Sequence, residues 1–271
     1  MKKLLFVIFL CCWVCPVWAE ADYAKIDQYA YEAPILTEAN NLSQLVKYLV
    51  RPYKTDEEKA RVILAWIVHN IDYDGYKANA INDDLNKTKK RNKELVIPLN
   101  NILETRIGVC GDIADLYKKM GELAGLTVTV IFGKARNEQT TLADFELGPD
   151  HAWNAVKIDD EWEFVDPTWA IGGEQPNILS DVEKNKDYKK IVKQRKKRHS
   201  DSKLPREGRV VNNEWFLTDK EEMIKTHFPF EEKWQLQKKK ISKKEFLNLT
   251  DRKAYRVAKK ELKQRKRGSV R

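Results

Sequence analysis

The spacing of apolar positions in the first third of the chain is helical. Leu42, Leu45, Val46 and Leu49 recur at three- and four-residue intervals, predicting an amphipathic helix from Asn41 to Val50 that Pro52 breaks. Thr55 and Glu58 stand in capping-box spacing, and Ala60, Ile63, Leu64, Ile67, Val68 and Ile71 then form the apolar side of a second helix. The pattern lapses between Asp72 and Glu94, which reads as a polar loop, and a short helix is expected from Pro98 to Arg106. Ile113, Leu116, Tyr117, Met120, Leu123 and Ala124 make one stripe on a longer helix, with Gly125 placed to end it. Beyond it the chain turns β-rich. Leu126 to Phe132 reads as a strand, residues 137–150 as a polar connection, and His151 to Ile158 with Glu161 to Asp166 as two strands around Asp159-Asp160. Helices followed by hairpin-connected strands predict an α+β fold, with an antiparallel sheet after the helices.

Three further segments complete the layout. Residues 174–212 form a basic, breaker-rich insertion. Residues 213–249 carry Trp215, Phe216, Phe228, Phe230, Trp234, Leu236 and Phe246 and read as an ordered C-terminal block. Residues 251–271 are a basic tail. The formal charge is +9, and without Lys2 and Lys3 it is +7. The excess is concentrated: residues 238–271 hold 15 Lys or Arg, and residues 181–209 hold 12. Such stretches suit an anionic cell-envelope surface or a solvated, partly disordered segment.

Residues 1–19 have the form of a secretory signal. Lys2 and Lys3 precede an apolar run from Leu4 to Val14, which is shorter than a bilayer span, and Val17-Trp18-Ala19 supplies the cleavage pattern. This predicts export to the periplasm or the extracellular space. Lipidation would ask for a small residue before a leader cysteine, where Leu10, Cys11 and Val14 stand instead.

Cleavage would remove Cys11, Cys12 and Cys15 and leave Cys110 as the single cysteine. It opens a helix in Gly108-Val109-Cys110-Gly111-Asp112. A thiolate is the nucleophile in cysteine chemistry, and a helix N-terminus favours it through free N–H groups and the dipole. By position alone Cys110 also suits a small buried core residue.

The hairpin adds the partners. A two- or four-residue loop on Asp159-Asp160 pairs Ile158 with Glu161, Ala155 with Phe164, and Trp153 with Asp166. His151 and Asp166 then share one face at a diagonal spacing of roughly 7–8 Å, which their side chains can close. A carboxylate on one ring nitrogen and a thiol on the other is the arrangement of a nucleophile–base–orienter triad. Taken singly, His151 also suits a solvated strand end and Asp166 a turn before Pro167.

These residues resemble a known family. Gly-Val-Cys-Gly-Asp at a helix start, His151-Ala-Trp-Asn-Ala-Val156 on a strand and Trp162-Glu-Phe-Val-Asp-Pro-Thr-Trp169 beyond it resemble the transglutaminase-like superfamily. Its kyphoscoliosis-peptidase-type branch is suggested by Glu58-Lys59-Ala60-Arg61, by Trp66 to Asp74, by Trp215-Phe216-Leu217-Thr218, by His227-Phe228-Pro229 and by Trp234-Gln235-Leu236. The resemblance covers roughly residues 24–249. It implies a papain-like core, centred on about 40–173 within a domain of 20–250, whose nucleophile helix packs on an antiparallel sheet. It also implies Cys110 as nucleophile, His151 as general base and acid, and Asp166 as orienter. The Cys110 amide is the natural first oxyanion donor. Trp66 and Tyr73 are candidates for a second, and both also suit the core.

The implied activity is thiol acyl transfer on peptide or amide bonds of a protein or peptide substrate. Water as acceptor makes a peptidase or amidase, and a lysine amine makes a cross-linking transglutaminase. A non-catalytic, envelope-binding module on the same scaffold is the third possibility. No cofactor is expected. One mature cysteine and scattered histidines make no standard zinc set, and no EF-hand loop or nucleic-acid motif occurs. His69 is assigned to the helix that begins after Thr55, His199 to the insertion, and His227 to a packing and turn element.

Overall fold

The computed structural model describes residues 21–33, 42–75, 77–78, 99–136, 140–172 and 209–249. Residues 1–20, most of the basic insertion and the basic tail lie outside them. Among the described residues no helix is long and apolar enough to cross a membrane.

A helix that the hydropathy pattern did not announce comes first. It is α1 (Tyr23–Glu32), capped by Asp22, whose side chain accepts from the Lys25 amide. Then come α2 (Leu42–Val50) and α3 (Asp56–Asn70). The Thr55–Glu58 capping box is present in both directions. Every residue of α3 from Ala60 to Asn70 is buried, because α1, α2 and the later helices surround it. Burial on all sides admits Arg61 only with a partner, and Asp27 of α1 accepts from its Nε and a terminal nitrogen at 2.8 and 2.6 Å.

The segment expected as a loop from Asp72 begins with β1 (Asp72–Tyr73). It pairs in parallel with β2 (Ile107–Gly108), which follows α4 (Leu99–Thr105). This short ladder holds the chain just ahead of α5 (Cys110–Leu123). The stripe of α5 is buried at Ile113, Leu116, Tyr117 and Met120, whereas Leu123, expected in it, is exposed. The helix closes with Gly125 at φ 85°, its amide bonding Glu122 O while the Leu126 amide reaches Gly121 O. That double bond pattern needs a left-handed residue, which glycine adopts without strain.

The five later strands form one antiparallel sheet, ordered β6–β5–β4–β3–β7. They are β3 (Val128–Ala135), β4 (His151–Ile158), β5 (Glu161–Val165), β6 (Phe216–Thr218) and β7 (His227–Pro229). The β4–β5 register is the expected one, Ile158 opposite Glu161 and Ala155 opposite Phe164. Asp159 and Asp160 at φ 47° and 68° make the two-residue turn that right-handed strand twist prefers. Strand β3 starts later and runs further than its hydropathy suggests, since Gly133, Lys134 and Ala135 pair with β7. The polar connection after it contains a 3₁₀ turn, Ala143–Leu147, that buries Phe145.

Both faces of the sheet are covered. Val128, Val156 and Val165 join the helical core with α3 and α5. Ile131, Trp153, Ala155 and Phe164 point to the other side, where Met223, Trp215, Trp234 and Leu236 of the C-terminal block close over them. Short α6 (Pro167–Ala170) and α7 (Lys220–Met223) flank that block. Phe246 of α8 (Lys243–Asn248) packs with Phe145 and Phe228.

Candidate active site

Cys110 is the first residue of α5. The Tyr73–Gly108 pairing and a 2.9 Å bond from the Asp74 amide to Gly108 O fix the approach to it. A Cβ at position 108 would meet Ile102 Cδ1 at 2.6 Å, so a side chain here would require the end of Ile102 to shift. Asp112 organises the helix start. Its carboxylate accepts from the Val109 amide and from Lys77 Nζ, both at 3.1 Å, in a buried pair. Cys110 is a free thiol of intermediate exposure, with Sγ 3.9 Å from Asp150 O.

Asp150 anchors the entry to β4. Its amide donates to Gly133 O, and its carboxylate accepts from the Ala135 amide and from Lys134 Nζ. His151 follows at once, on the face away from the helical core. Its Nε2 lies 2.6 Å from Asp166 Oδ2, so the diagonal spacing read from the hairpin is closed by a direct hydrogen bond. The Cys110 side chain is close enough to His151 to act on its ionisation. With Nε2 engaged by Asp166, Nδ1 is the atom left for the thiol. His151 is buried, with the rings of Trp153, Trp169 and His227 5.3–5.9 Å away.

Asp166 is fully buried and accepts from three donors. The Trp169 amide donates to Oδ1 at 2.9 Å, making Asp166 the N-cap of α6. Thus the turn-forming role before Pro167 and the pairing with His151 are both present. Oδ2 takes His151 Nε2 and, at 3.0 Å, His227 Nε2. His227, assigned from sequence to packing and turning, therefore stands inside the polar cluster. Its position follows from β7, where it pairs with Ala135 across from β3.

Burial lowers the pKa of both histidines, and the neighbours decide the outcome. For His151, burial is outweighed by the charge and hydrogen bond of Asp166 and by Cys110, so its pKa is pushed up to about 10. For His227, burial dominates, Asp166 opposes it, and the charge of His151 adds to it, leaving a pKa of about 4. Asp166 itself is held well below the usual carboxylate range: burial pushes its pKa up, but His151 and His227 pull it down further. At neutral pH the cluster is therefore an imidazolium, a carboxylate and a neutral imidazole.

Of the two candidate oxyanion donors, Tyr73 is the one beside the site. Its pKa is raised by burial and by the charges of Cys110, Asp74, Asp166 and Asp150, so its hydroxyl keeps its proton. Trp66 is buried in the helical core under the Arg106 guanidinium, 4.9 Å from its ring.

His151, Asp166 and His227 also offer three ligand atoms within 4.8 Å of one another. Sequence spacing gave no sign of this group, because His227 lies 61 residues beyond Asp166. A divalent ion would require about 2.0–2.2 Å to each atom and the loss of both Nε2 protons. The hydrogen bonds already account for every ligand atom in the group, so the donor set does not call for a metal.

The fold is a mixed one, with the helix that opens at Cys110 packed on an antiparallel sheet, and residues 43–167 match the family model of the Transglutaminase-like superfamily. That match contains Cys110, His151 and Asp166 and stops before His227. Kyphoscoliosis peptidase of Homo sapiens is 27% identical over 228 residues, covering 84% of this chain and 28% of that protein. Hillarin of Drosophila melanogaster is 27% identical over 241 residues, covering 84% and 24%. The chain thus spans less than a third of the length of these relatives. A solved structure of a TGase is 18% identical and covers 65% of this chain and 40% of its own, with a TM-score of 0.36.

Proposed function

We propose that the protein is a thiol acyl-transfer enzyme acting on peptide or amide bonds, with Cys110 as nucleophile, His151 as general base and acid, and Asp166 as its orienter. The observation that carries this is the bond from His151 Nε2 to Asp166, which leaves Nδ1 for the Cys110 thiol. In the first step Sγ forms a bond to the carbonyl carbon while the thiol proton resides on His151. The developing oxyanion meets the Cys110 amide and the Tyr73 hydroxyl. The C–N bond then breaks, His151 passes its proton to the leaving amine, and a thioester remains. An incoming water gives up a proton to His151, attacks the thioester and releases the acid, restoring the thiol.

Hydrolysis is the preferred outcome because two relatives bear the name kyphoscoliosis peptidase. Transfer to an amine would use the same residues. Export through residues 1–19, and attachment to an anionic envelope surface through the basic insertion and tail, belong to the same proposal and rest on sequence. Truncation after Thr250 should spare turnover and lower salt-sensitive retention on anionic vesicles.

The deciding experiment is alkylation of Cys110 by iodoacetamide as a function of pH, in wild type and His151→Ala. The proposal expects fast alkylation at neutral pH that His151→Ala slows. A profile like that of an ordinary thiol, with a pKa of about 8.5 and insensitive to His151→Ala, would refute it. Wild type, tested on protein substrates with and without an added amine and with Cys110→Ser as the inactive control, then separates hydrolysis from transamidation.

A further inference from the structure

The C-terminal block does more than cover the sheet. We propose that His227 is a positioning residue: a neutral imidazole whose Nε2–H holds the Asp166 carboxylate in place for His151. This rests on the acyl-transfer reading of Cys110, His151 and Asp166 given above.

The hydrogen-bond geometry fixes the tautomer. His227 Nε2 faces a carboxylate oxygen at 3.0 Å and must carry a proton to bond with it. Its Nδ1 then accepts from the Thr226 hydroxyl at 2.8 Å, a much better contact than the 3.4 Å from that hydroxyl to Met223 O. The charge state follows from the surroundings. The charged or titratable groups acting on His227 are Asp166, His151 and Asp150. Two imidazoliums on one buried carboxylate would leave a net positive charge in the interior, which is costly. His151 has Cys110 as a further partner, whereas the other partner of His227 is an uncharged hydroxyl. The charge therefore resides on His151.

The consequence for Asp166 concerns its lone pairs. Oδ1 accepts from the Trp169 amide, and both acceptor positions of Oδ2 are taken by the two imidazoles. A carboxylate held by three donors has no free rotation. It is also a poor destination for the His151 proton, since each donor favours its ionised form. The proton taken from Cys110 is thereby kept on His151, where the leaving amine requires it. Packing alone is the competing account, because the His227 ring also touches Trp153, Trp169 and Trp215.

Two substitutions in the full chain separate the accounts. His227→Phe keeps a ring and removes the donor. His227→Gln loses the ring, and its side-chain amide reaches the place of Nε2. The readout is iodoacetamide alkylation of Cys110 at pH 7, with a thermal melt to verify folding. His227→Phe should slow alkylation roughly tenfold, with a ceiling of about thirtyfold set by the ionised fraction of an ordinary thiol at that pH. His227→Gln should recover most of the rate. Wild-type behaviour of His227→Phe, or equal slowing by both variants, would overturn the proposal. If His227→Phe does not melt cooperatively, His227→Asn takes its place, since its amide reaches the position of Nδ1. It must be slow where His227→Gln is fast, and equal rates again overturn the proposal. If His151→Ala leaves wild-type alkylation unchanged, the acyl-transfer reading is what fails. The downfield proton resonance of the His151–Asp166 bond then tests His227 by itself: loss in His227→Phe with retention in His227→Gln supports it, and retention in both refutes it.

Discussion

Replacing Asp166 by Asn changes one atom of the most connected side chain in the site. The oxygen that becomes an amide nitrogen decides the result. If the Asn oxygen keeps the place of Oδ1 and its bond from the Trp169 amide, its NH2 group faces His151 Nε2 and His227 Nε2. Both imidazoles can accept from it only by moving their protons to Nδ1. His227 can do so, because Thr226 Oγ1 is beside that atom and can accept. His151 can do so as well, but its proton then points at Cys110 and the ring can no longer take one from the thiol. The opposite flip keeps the histidine tautomers and sets the Asn NH2 against the Trp169 amide, losing an N-cap worth about 1 kcal/mol. Neither orientation replaces the negative charge. Removing one partner of a buried ion pair costs about 3–5 kcal/mol. Assigned to the imidazolium state through which the reaction passes, that is a loss of between about 10² and 10⁴ in rate. Folding should suffer less, since the first orientation leaves no polar group unpaired. The assay is turnover of an activated aryl ester together with a thermal melt. Activity within a few-fold of wild type in a folded Asp166→Asn would show that another residue orients His151.

Three further outcomes are expected. Tyr73→Phe should lower kcat by roughly 10²–10³, as loss of one oxyanion donor does elsewhere, while KM is little changed; a loss confined to KM would place the Tyr73 hydroxyl on bound substrate instead. The stability contributions of the two histidines run oppositely with pH. That of His151, whose pKa rises from 6.5 to about 10 on folding, is complete below 6.5 and is lost as pH rises towards 10. That of His227, lowered from 6.5 to about 4, is complete above 6.5 and is lost as pH falls towards 4, each limb having a slope of at most about 1.4 kcal/mol per pH unit. Melting curves from pH 4 to 10 should show His227→Phe with a shallower acid limb than wild type, and an unchanged limb counts against the assignment. Gly133→Ala would bring a Cβ within 2.2 Å of Phe228 O and 2.6 Å of the Trp153 ring, so β7 must move away from β3. Faster hydrogen exchange at the Arg136 and Phe230 amides, which bond Thr226 O and Phe132 O across that junction, is the expected sign, at a stability cost of about 1–3 kcal/mol; unchanged protection would mean that the strand pair yields without opening.

The parts of the fold legible in sequence were those set by local chemistry. The Thr55–Glu58 box, the Gly125 stop and the Asp159-Asp160 turn each fix their own few residues, and the turn sets the β4–β5 register that brings His151 towards Asp166. What hydropathy missed depends on distant partners. Helix α1 has only Ile26 and Ala30 fully buried and is secured through Asp27 to Arg61. Strand β1 is two residues long and exists because Ile107 and Gly108 lie beside it. The end of β3 is drawn out by β7. His227 was hidden for the same reason. Its neighbours Phe228 and Pro229 read as packing, and no spacing rule joins it to a carboxylate 61 residues away. A threonine immediately before a histidine inside an aromatic block was the available clue, since Thr226 fixes which ring nitrogen is free to donate.

The covering of the second sheet face by residues 215–236 has a temporal consequence. A ribosome delivers Cys110, His151 and Asp166 well before it delivers β7. Until then Trp153 and Phe164 have no lid, and the His151–Asp166 bond lies open to water, where a charged pair is worth little. The enclosure of Cys110, His151 and Asp166 is therefore completed late, once residues 215–236 have emerged. A chain that stops short of residue 227 retains Cys110, His151 and Asp166 without the enclosure that shifts the pKa values of His151 and Asp166. Synthesis order thus acts as a delay, separating the making of this cluster from its enclosure.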